Sequence, residues 1–398
     1  MKTIDLVYFN AGGGHRSAAL ALESVIGEQC RLWQVRLVNL MNVLDPQDVF
    51  RKATGVNPED IYNSRLARGW SVGLAQELGL LQALIGLGHK SLTRRLRRYW
   101  RQTKPDMVVS LIPNFNRPMY DALSQARPGI PYVTILTDFA DFPPHFWFEA
   151  PQAQHLVCGT PKAVAQARAT GYNEGQIHAT SGMILRPEFY RQSSLDRRTE
   201  IQKLGLDCHR PTGLVMFGGH GSSVMRGIAR RLDDVQLILI CGHNGALAER
   251  LAAMSTAAPR LVIGFTADIC YYMQLSDFFI GKPGPGSISE AIQQSLPVVV
   301  VRNAWTMPQE RYNTEWVKDH NAGIVLDSFR SIRDGVAEII GRLDEFRTSI
   351  ARIQNRAIFE IPDILEQILN LDGAAGIGMF QNSTSVAGES HTDSVILH

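Results

Sequence analysis

The chain has 398 residues, of which 45% are hydrophobic and 20% charged, and its formal net charge is +2. This composition is ordinary for a soluble globular protein, and the length predicts two domains. A charge so close to neutral excludes a general attraction to nucleic acid, so any electrostatic recognition must come from local clusters.

The cysteines and the N-terminus indicate a cytoplasmic protein. The cysteines are far apart, without C-x-x-C spacing, which favours reduced thiols over a disulfide framework or a zinc site; they are Cys30, Cys158, Cys208, Cys241 and Cys270. The first apolar stretch contains Asp5 and does not read as a signal peptide. No apolar run approaches the roughly 20 residues that a membrane-spanning helix needs.

The first half of the chain opens with a strand, a glycine-rich turn and a helix. Residues 4–9 are apolar, NAGGGHRS follows with His15 directly after the glycines, and AALALESVI has helical composition. Short apolar runs at 107–112, 131–137 and 155–160 read as buried parallel strands. The pattern predicts a doubly wound α/β domain.

The second half repeats this design about 200 residues later. Residues 213–217 form an apolar run that ends in GGHGSS, and VMRGIARRL follows. Further buried strands are predicted at 235–242, 260–265, 277–282 and 296–301. We therefore expect domains over 1–190 and 206–345 with their junction in the polar stretch 187–205, a helical segment over 346–372 and a disordered tail over 373–398.

The stretch 70–104 joins an apolar segment to a basic one. Its apolar residues lie near helical spacing; they are Leu74, Leu78, Leu81, Leu84, Ile85 and Leu87. A basic cluster follows, consisting of Arg94, Arg95, Arg97, Arg98, Arg101 and Lys104, beside Tyr99 and Trp100. By itself this favours a core-packed helix followed by a solvated basic helix, and the alternative is a segment lying on an anionic membrane. No nucleic-acid-binding fold accompanies the cluster.

Two loops in the second half have the composition of ligand sites. GKPGPGSISEA, residues 281–291, predicts either a helix capped by Ser287 with Glu290 completing a capping box, or a diphosphate held by the backbone N–H groups of 284–287. In the second case Glu290 binds a ribose diol. RNAWTMPQERYNTE, residues 302–315, brings Gln309, Glu310 and Asn313 into a loop that suits sugar hydroxyls or is merely solvated. Neither opening glycine loop has the G-x-G-x-x-G or Walker spacing.

Six motifs in order resemble those of one glycosyltransferase family. They are GGGHR at 12–16, TD with HFW at 137–147, RPEF at 186–189, ICGHN at 240–244, VIGFT at 262–266, and GKPGPGSISEAIQQSLPVVVV followed by PQERYNTEWVKDHNAG. The family includes monogalactosyldiacylglycerol synthases, processive diacylglycerol glucosyltransferases and the MurG-like N-acetylglucosaminyltransferases, and the diacylglycerol branch is the most similar. The resemblance implies a GT-B fold, in which two doubly wound domains face each other across a cleft.

The resemblance also implies a donor site for a UDP-sugar in the second domain, with no obligatory cofactor or metal. Gly264, Phe265 and Thr266 would contact uracil through the backbone, and Glu290 would bind ribose. The diphosphate residues would be Pro283, Gly284, Gly286 and Ser287, and Gln309 with Glu310 would read the sugar. Asp138 and Asp141 are too far apart for a D-x-D metal motif.

The first domain would then carry the acceptor side, lined by Gly13, Gly14, His145 and Trp147. An inverting transfer needs a general base for the acceptor hydroxyl. His15 is the family's leading candidate, and Asp138 either orients it or acts as the base itself. The chain departs from the family at His220, at Met307 with Pro308, and at Ile184, so the identity of the sugar stays open.

With the resemblance, the basic cluster favours the membrane interpretation. Arg94, Arg95, Arg97 and Arg98 are then predicted to contact anionic lipid. We expect transfer of a hexose to a diacylglycerol-type lipid by an enzyme peripheral to the inner or plasma membrane, at its cytoplasmic face. The alternatives are a GT-B enzyme with a non-lipid acceptor and a catalytically silent nucleotide-sugar-binding protein. Neither a nucleic acid nor a protein partner is expected.

Overall fold

The computed structural model describes residues 1–10, 13–47, 52, 74–142, 145–149, 152–191 and 195–382. Within helices, the side chains of 74–77 and 372–382 lie outside this description. Among the described helices, none has the length and apolar content needed to cross a membrane.

The first half of the chain forms a parallel sheet of six strands in the order β2-β1-β3-β4-β5-β6. Its strands are β1 (Lys2–Tyr8), β2 (Trp33–Asn39), β3 (Met107–Ser110), β4 (Tyr132–Ile135), β5 (His155–Cys158) and β6 (Ile177–Ala179). Its helices are α1 (Gly14–Glu28), α2 (Leu40–Leu44), α3 (Leu74–Thr103), α4 (Asn116–Ala126) and α5 (Pro161–Ala169). The strand order reverses between β1 and β3, where ligands bind in such sheets.

The second half forms another six-stranded parallel sheet, in the order β12-β11-β10-β7-β8-β9. Its strands are β7 (Thr212–Met216), β8 (Gln236–Ile240), β9 (Arg260–Ile263), β10 (Phe278–Gly281), β11 (Val298–Val301) and β12 (Gly323–Leu326). Its helices are α6 (Arg197–Lys203), α7 (Val224–Arg231), α8 (Gly245–Ala252), α9 (Ile269–Gln274), α10 (Pro285–Gln293), α11 (Arg311–Asp319) and α12 (Ile332–Gly341). The order reverses between β7 and β10.

The strands that the sequence predicts are all present, and three more complete the sheets. The predicted strands are short and apolar because both faces of a parallel sheet are covered by helices. The additional strands are β2, β6 and β12. In β2 the polar residues Gln34 and Arg36 alternate with apolar ones, so the run WQVRLVN lacks the continuous apolar character of a central strand. The α/β class is confirmed.

The C-terminal helices return to the first half of the chain. After α13 (Leu343–Ile350), α14 (Ala357–Asn382) packs beside α1, with Ile358, Ile361 and Leu365 in the same apolar core as β1 and β3. Arg31 forms ion pairs with Asp363 and with Glu366 of α14. The helix thus continues beyond residue 372, where the sequence places the start of a disordered tail, and residues 383–398 lie outside the described residues.

Apolar packing also joins the two halves at the cleft. Phe139, which follows β4, lies in the apolar core of the second sheet, and its ring centroid is 4.9 Å from that of Trp316 on α11. Met183 and Phe189 belong to the same core. The stretch predicted as a polar junction therefore contributes buried residues, including Phe189 in a 3₁₀ turn and Ile201 on α6.

Candidate active site

The opening glycine loop positions His15 at the first reversal point. Gly13 adopts the left-handed conformation with φ +78° and precedes α1, which begins at Gly14, and both glycines are exposed. Gly12 lies outside the described residues. His15 therefore falls in the first turn of the helix, and its Nδ1 lies 3.0 Å from Thr137 Oγ1 after β4. Loss of hydration lowers the His15 pKa to about 4, opposed by a hydrogen bond to the Leu111 carbonyl.

Asp138 follows Thr137, the residue that contacts His15, and is held by an indole. Trp147 Nε1 donates a hydrogen bond to Asp138 Oδ2 at 2.9 Å, and the backbone N–H of Trp147 donates to Asp141 Oδ1 at 2.6 Å. Burial raises the Asp138 pKa to about 7 and the Asp141 pKa to about 6, although the hydrogen bonds from Trp147 oppose both increases. The two aspartates thus share one tryptophan, which fixes their separation.

His145 and Trp147, which the sequence assigns to the acceptor side, differ in their exposure. Trp147 is fully buried, its ring centroid lies 6.3 Å from that of His15, and it supports Asp138 from behind. His145 is exposed with φ +52°, and its Nδ1 lies 3.0 Å from the Phe148 carbonyl oxygen. Of the two, only His145 offers surface to a ligand in the cleft.

In the second half, the structure contradicts the capping box predicted for GKPGPGSISEA. Helix α10 begins at Pro285, the N-cap is Gly284, and no side chain caps the helix. Ser287 is already helical, because proline fits the first helical position with its fixed φ and missing N–H. Glu290 therefore has no N-cap partner at Ser287.

Because the helix begins at Pro285, fewer backbone N–H groups than predicted are available to bind a diphosphate. The Gly284 N–H donates to the Lys282 carbonyl at 2.8 Å, and Pro285 has no N–H. The amides of Gly286 and Ser287 lie in the first turn, where helices leave N–H groups without intrahelical partners. A phosphate at this helix end would meet Gly286, Ser287 and the positive end of the helix dipole.

An ion pair that the sequence analysis missed lies next to this helix end. Lys282 Nζ is 2.8 Å from Glu310 Oε1, and the Glu310 side chain is only 6% exposed. A methyl group added at Gly284 would lie 3.4 Å from Lys282 Cε and 3.6 Å from Glu310 Oε1. The signal in the sequence was a lone lysine directly before PGPG, the only cation of the loop.

The polar loop after β11 contributes further groups. Asn313 is fully buried, and its Nδ2 donates to the Pro283 carbonyl at 2.8 Å, so it holds the proline-glycine turn in place. The Asn313 Oδ1 is buried without a hydrogen-bond partner among the described residues. Gln309 is half-buried, with its Nε2 3.7 Å from Met307 Sδ. This part of the loop is therefore packed against the proline-glycine turn rather than a solvated coil.

Glu290 lies on the face of α10 that meets the RPEF motif. Burial raises its pKa to about 7, although the charge of Arg186 opposes the increase. Arg186 forms an ion pair with Glu188 at 2.8 Å and donates from Nη1 to the Ala267 carbonyl at 3.1 Å. A carboxyl group in this environment accepts hydrogen bonds readily, as a ribose diol requires.

The segment predicted to contact uracil carries a stacked pair of rings. Phe265 is 61% exposed and stacks on His243, with ring centroids 4.1 Å apart and an interplanar angle of 15°. Thr266 Oγ1 accepts the Asp268 N–H at 3.0 Å, and Gly264 is half-buried. His220, a departure from the family pattern, lies with its ring centroid 6.0 Å from that of His243.

A cavity of about 560 Å³ opens at the carboxyl ends of β7, β10 and β11. Lys282, Pro283 and Glu310 line it on one side, and Ser222 and Ser223 of the second glycine loop line it on another. Residues outside the predicted set also line it; they are Phe217, Trp305 and Phe329. Cavities at the carboxyl ends of parallel strands are the usual ligand sites of such sheets.

The two reversal points face each other across the cleft. The charges of Glu310 and Lys282 both act on the Asp138 carboxyl, the first raising its pKa and the second lowering it. Phe139, the residue after Asp138, also packs on Trp316 of α11, the helix that begins directly after Glu310, so the two regions are close together. A substrate between them would have a proton acceptor on one side and a cation on the other.

Residues 74–103 of the predicted membrane segment form one helix, α3, with two kinds of surface, and residues 70–73 lie outside the described residues. Leu80, Leu84 and Leu87 are 62%, 56% and 86% exposed, whereas Ile85 is buried. Arg94, Arg95 and Arg98 line a separate cavity of about 1120 Å³ against β2 and α2. Arg97, which is also predicted to contact lipid, donates a hydrogen bond to Gln125 Oε1 on α4 at 3.2 Å.

Comparison with known proteins agrees with this geometry. Residues 217–368 match the Glycosyltransferase family 28 C-terminal domain. The chain is 26% identical to the monogalactosyldiacylglycerol synthase of Spinacia oleracea over 405 aligned residues, which cover 92% of this chain and 73% of that protein. This protein is a glycosyltransferase. It is homologous to the monogalactosyldiacylglycerol synthases, and the resemblance expected from the motifs is confirmed.

Solved structures confirm the GT-B fold. The enzyme is similar to Acinetobacter baumannii MurG with a TM-score of 0.57 and 16% identity, covering 92% of this chain and 100% of that one. It is also similar to Anabaena Alr3699/HepE in complex with UDP-glucose, with a TM-score of 0.52 and 15% identity, covering 93% and 100% of the two chains. At these identities the likeness establishes the fold alone.

Proposed function

We propose that the enzyme transfers a hexose from a UDP-sugar to a diacylglycerol-type lipid with inversion at the anomeric carbon. One observation carries the proposal. Asp138 and His15 lie across the cleft from Lys282, Glu310 and the N-terminus of α10, close enough for the charges of the pair to act on Asp138. A proton acceptor facing a diphosphate cradle is the arrangement that direct displacement needs.

The donor would lie along the second sheet. Its uracil would meet Gly264, Phe265 and Thr266, its ribose Glu290, and its diphosphate the first turn of α10. Glu310 and Gln309 would face the sugar, since a carboxylate and an amide together accept and donate the hydrogen bonds that hydroxyls make. That a solved relative in fold holds UDP-glucose supports this arrangement.

The reaction would move one proton and one glycosyl group. The acceptor hydroxyl oxygen forms a bond to the anomeric carbon and passes its proton to the base, while the anomeric carbon–oxygen bond breaks and its electron pair leaves with UDP. We assign the base to Asp138, because a carboxyl with a pKa of about 7 is matched to neutral pH. His15 stays neutral above its pKa of about 4 and would orient the acceptor.

The acceptor would arrive from a membrane surface along α3. Leu80, Leu84 and Leu87 form an exposed stripe, and Arg94 and Arg98 continue it at the same three- and four-residue spacing. Leucines would enter the lipid boundary while arginines met anionic headgroups, each worth about 1 kcal/mol. We therefore propose a peripheral enzyme that works at the cytoplasmic face of the membrane.

A release assay tests the proposal. UDP release is measured over a panel of UDP-sugars, with and without vesicles that contain diacylglycerol and anionic phospholipid, and the lipid product is identified by mass spectrometry. We expect release with one sugar to depend on diacylglycerol. Release that ignores diacylglycerol would contradict the lipid acceptor and favour a non-lipid one, and binding of UDP without turnover of any sugar would contradict the enzymatic role.

A further inference from the structure

We infer that Lys282 is the cation that binds the donor diphosphate and carries its charge as UDP leaves, and that Glu310 holds Lys282 until the donor displaces it. This inference rests on the proposed function, which it deepens by assigning the leaving-group contact to one side chain. Lys282 lies in the loop GKPGPGSISEA but does not belong to the predicted set of donor residues.

The position of Lys282 is the first support. It follows β10 at the reversal point of the second sheet, between the two glycine loops. A methyl group added at Gly218 would lie 4.0 Å from Lys282 Cε, and one added at Gly284 would lie 3.7 Å from Nζ. The ammonium group thus sits between the loop before α7 and the N-cap of α10, where a diphosphate would approach both.

The partner of Lys282 is the second support. Glu310 is almost completely buried, while the Lys282 side chain is 38% exposed towards the cavity. The pair is therefore asymmetric: the carboxylate is anchored in the protein, and the lysine has room to move on its flexible stem. A diphosphate competes well for the ammonium because it carries more negative charge than a single carboxylate.

The movement of Lys282 from Glu310 to the diphosphate, called the hand-over below, gives Glu310 two states. Without donor, Glu310 accepts a hydrogen bond from Lys282 Nζ at 2.8 Å. When Lys282 turns to the phosphate, the Glu310 carboxylate is released to accept hydrogen bonds from the sugar hydroxyls. In the transfer step, the electron pair of the broken glycosidic bond goes to the β-phosphate oxygen, and the Lys282 ammonium neutralises the charge that develops there.

Opposite effects from the two partners distinguish this role from a structural one. Binding of UDP and of uridine is measured by calorimetry, with no sugar present. Lys282→Met should weaken UDP binding on the order of tenfold and leave uridine binding unchanged, since a charge-assisted bond to phosphate is lost. Glu310→Gln should tighten UDP binding severalfold, because a neutral amide holds the lysine less strongly than a carboxylate before the donor arrives.

Three further variants keep the test decisive. Lys282→Met alone leaves a buried carboxylate without its counter-ion and can unfold the domain, so the double variant Lys282→Met with Glu310→Gln is measured as well. It should bind UDP as weakly as Lys282→Met does, and Lys282→Arg should restore binding. Lys318→Met, an exposed lysine on α11, is the matched control and should bind UDP like the wild type.

The outcomes separate this inference from the proposed function. UDP binding by the double variant equal to that of Glu310→Gln would overturn the role of Lys282 and leave the proposed function standing. Weaker UDP binding in Glu310→Gln would overturn the hand-over, since it would show a pair that merely holds the loop together. Failure of the wild type to bind UDP would overturn both.

Discussion

The two glycine loops that open the two sheets are alike in sequence design but have different neighbours. In the first half the loop leads to His15, near Asp138, and burial shifts the pKa of each side chain in the direction that favours its neutral form. In the second half the opening loop, GGHGSS, lies beside Lys282 of the loop after β10, and Lys282 forms an ion pair with Glu310. Proton transfer needs groups that change charge easily, whereas phosphate binding needs a permanent charge, so in the proposed function the two halves divide these tasks.

The largest effect is expected when the groups proposed to transfer the proton are replaced. Asp138→Asn should lower kcat about 10²- to 10⁴-fold, the usual worth of a general base. Affinity for UDP should change less than twofold, because the donor lies on the other sheet. His15→Ala should also lower kcat strongly with donor binding retained. Steady-state kinetics and calorimetry on the same preparations check both.

Asp319→Asn, an exposed aspartate of the second half, is the matched control for Asp138. Near-normal turnover in Asp138→Asn would remove Asp138 as the base. Near-normal turnover in His15→Ala would remove the role of His15 in orienting the acceptor.

The pH dependence of turnover tests whether Asp138 or His15 is the base. A base must be deprotonated to act, so activity falls as the pH drops through its pKa. With Asp138 as the base, kcat/KM should fall about tenfold per pH unit below about 7. With His15 as the base, the fall would begin only near pH 4. The initial rate between pH 4 and pH 9, with enzyme stability checked at each pH, separates the two.

A third prediction concerns α3, which has no counterpart in the second half. Replacing Leu80, Leu84 and Leu87 together by serine should lower affinity for anionic vesicles on the order of tenfold, because exposed apolar surface no longer enters the lipid. UDP affinity should stay unchanged. Leu371→Ser, which alters a leucine that is 64% exposed on α14, serves as the control. Vesicle sedimentation measures the membrane binding of the triple variant and of the control. Binding of the triple variant equal to that of the wild type would show that the stripe does not contact lipid.

The smallest expected effect is on stability. The folded pKa of Asp138 is raised from 3.8 to about 7, so its contribution to stability is present below pH 4 and is lost as the pH rises through 7. At pH 8 the free energy of unfolding of Asp138→Asn should therefore exceed that of the wild type by on the order of 1–3 kcal/mol. Urea unfolding curves measure the difference. At pH 4 the two should agree. Equal stability at pH 8 would show that the carboxylate is well solvated.

Much of the fold could be predicted because parallel strands are short, apolar and bounded by turn residues. Strand β2 was missed because its polar side chains interrupt that pattern, and β12 because its apolar run is short and opens with a glycine. The capping box was wrong because Pro285 favours the first helical position, a local preference that the Ser-x-x-Glu spacing conceals. The return of α14 to the first core was missed because an apolar helix face does not specify its partner.

The class of the fold, the two glycine-rich strand-to-helix units, the motifs of a glycosyltransferase and the candidates His15, Asp138 and Glu310 could all be predicted from the order of residues. These features depend on local chain geometry and on residue type. The ion pair of Lys282 with Glu310 and the burial of Trp147 behind Asp138 are seen only in the folded chain. The same is true of the effect of Lys282 and Glu310 on the Asp138 carboxyl across the cleft. Such relations join residues far apart in the chain, and hydration, distance and charge become definite only once the sheets face each other.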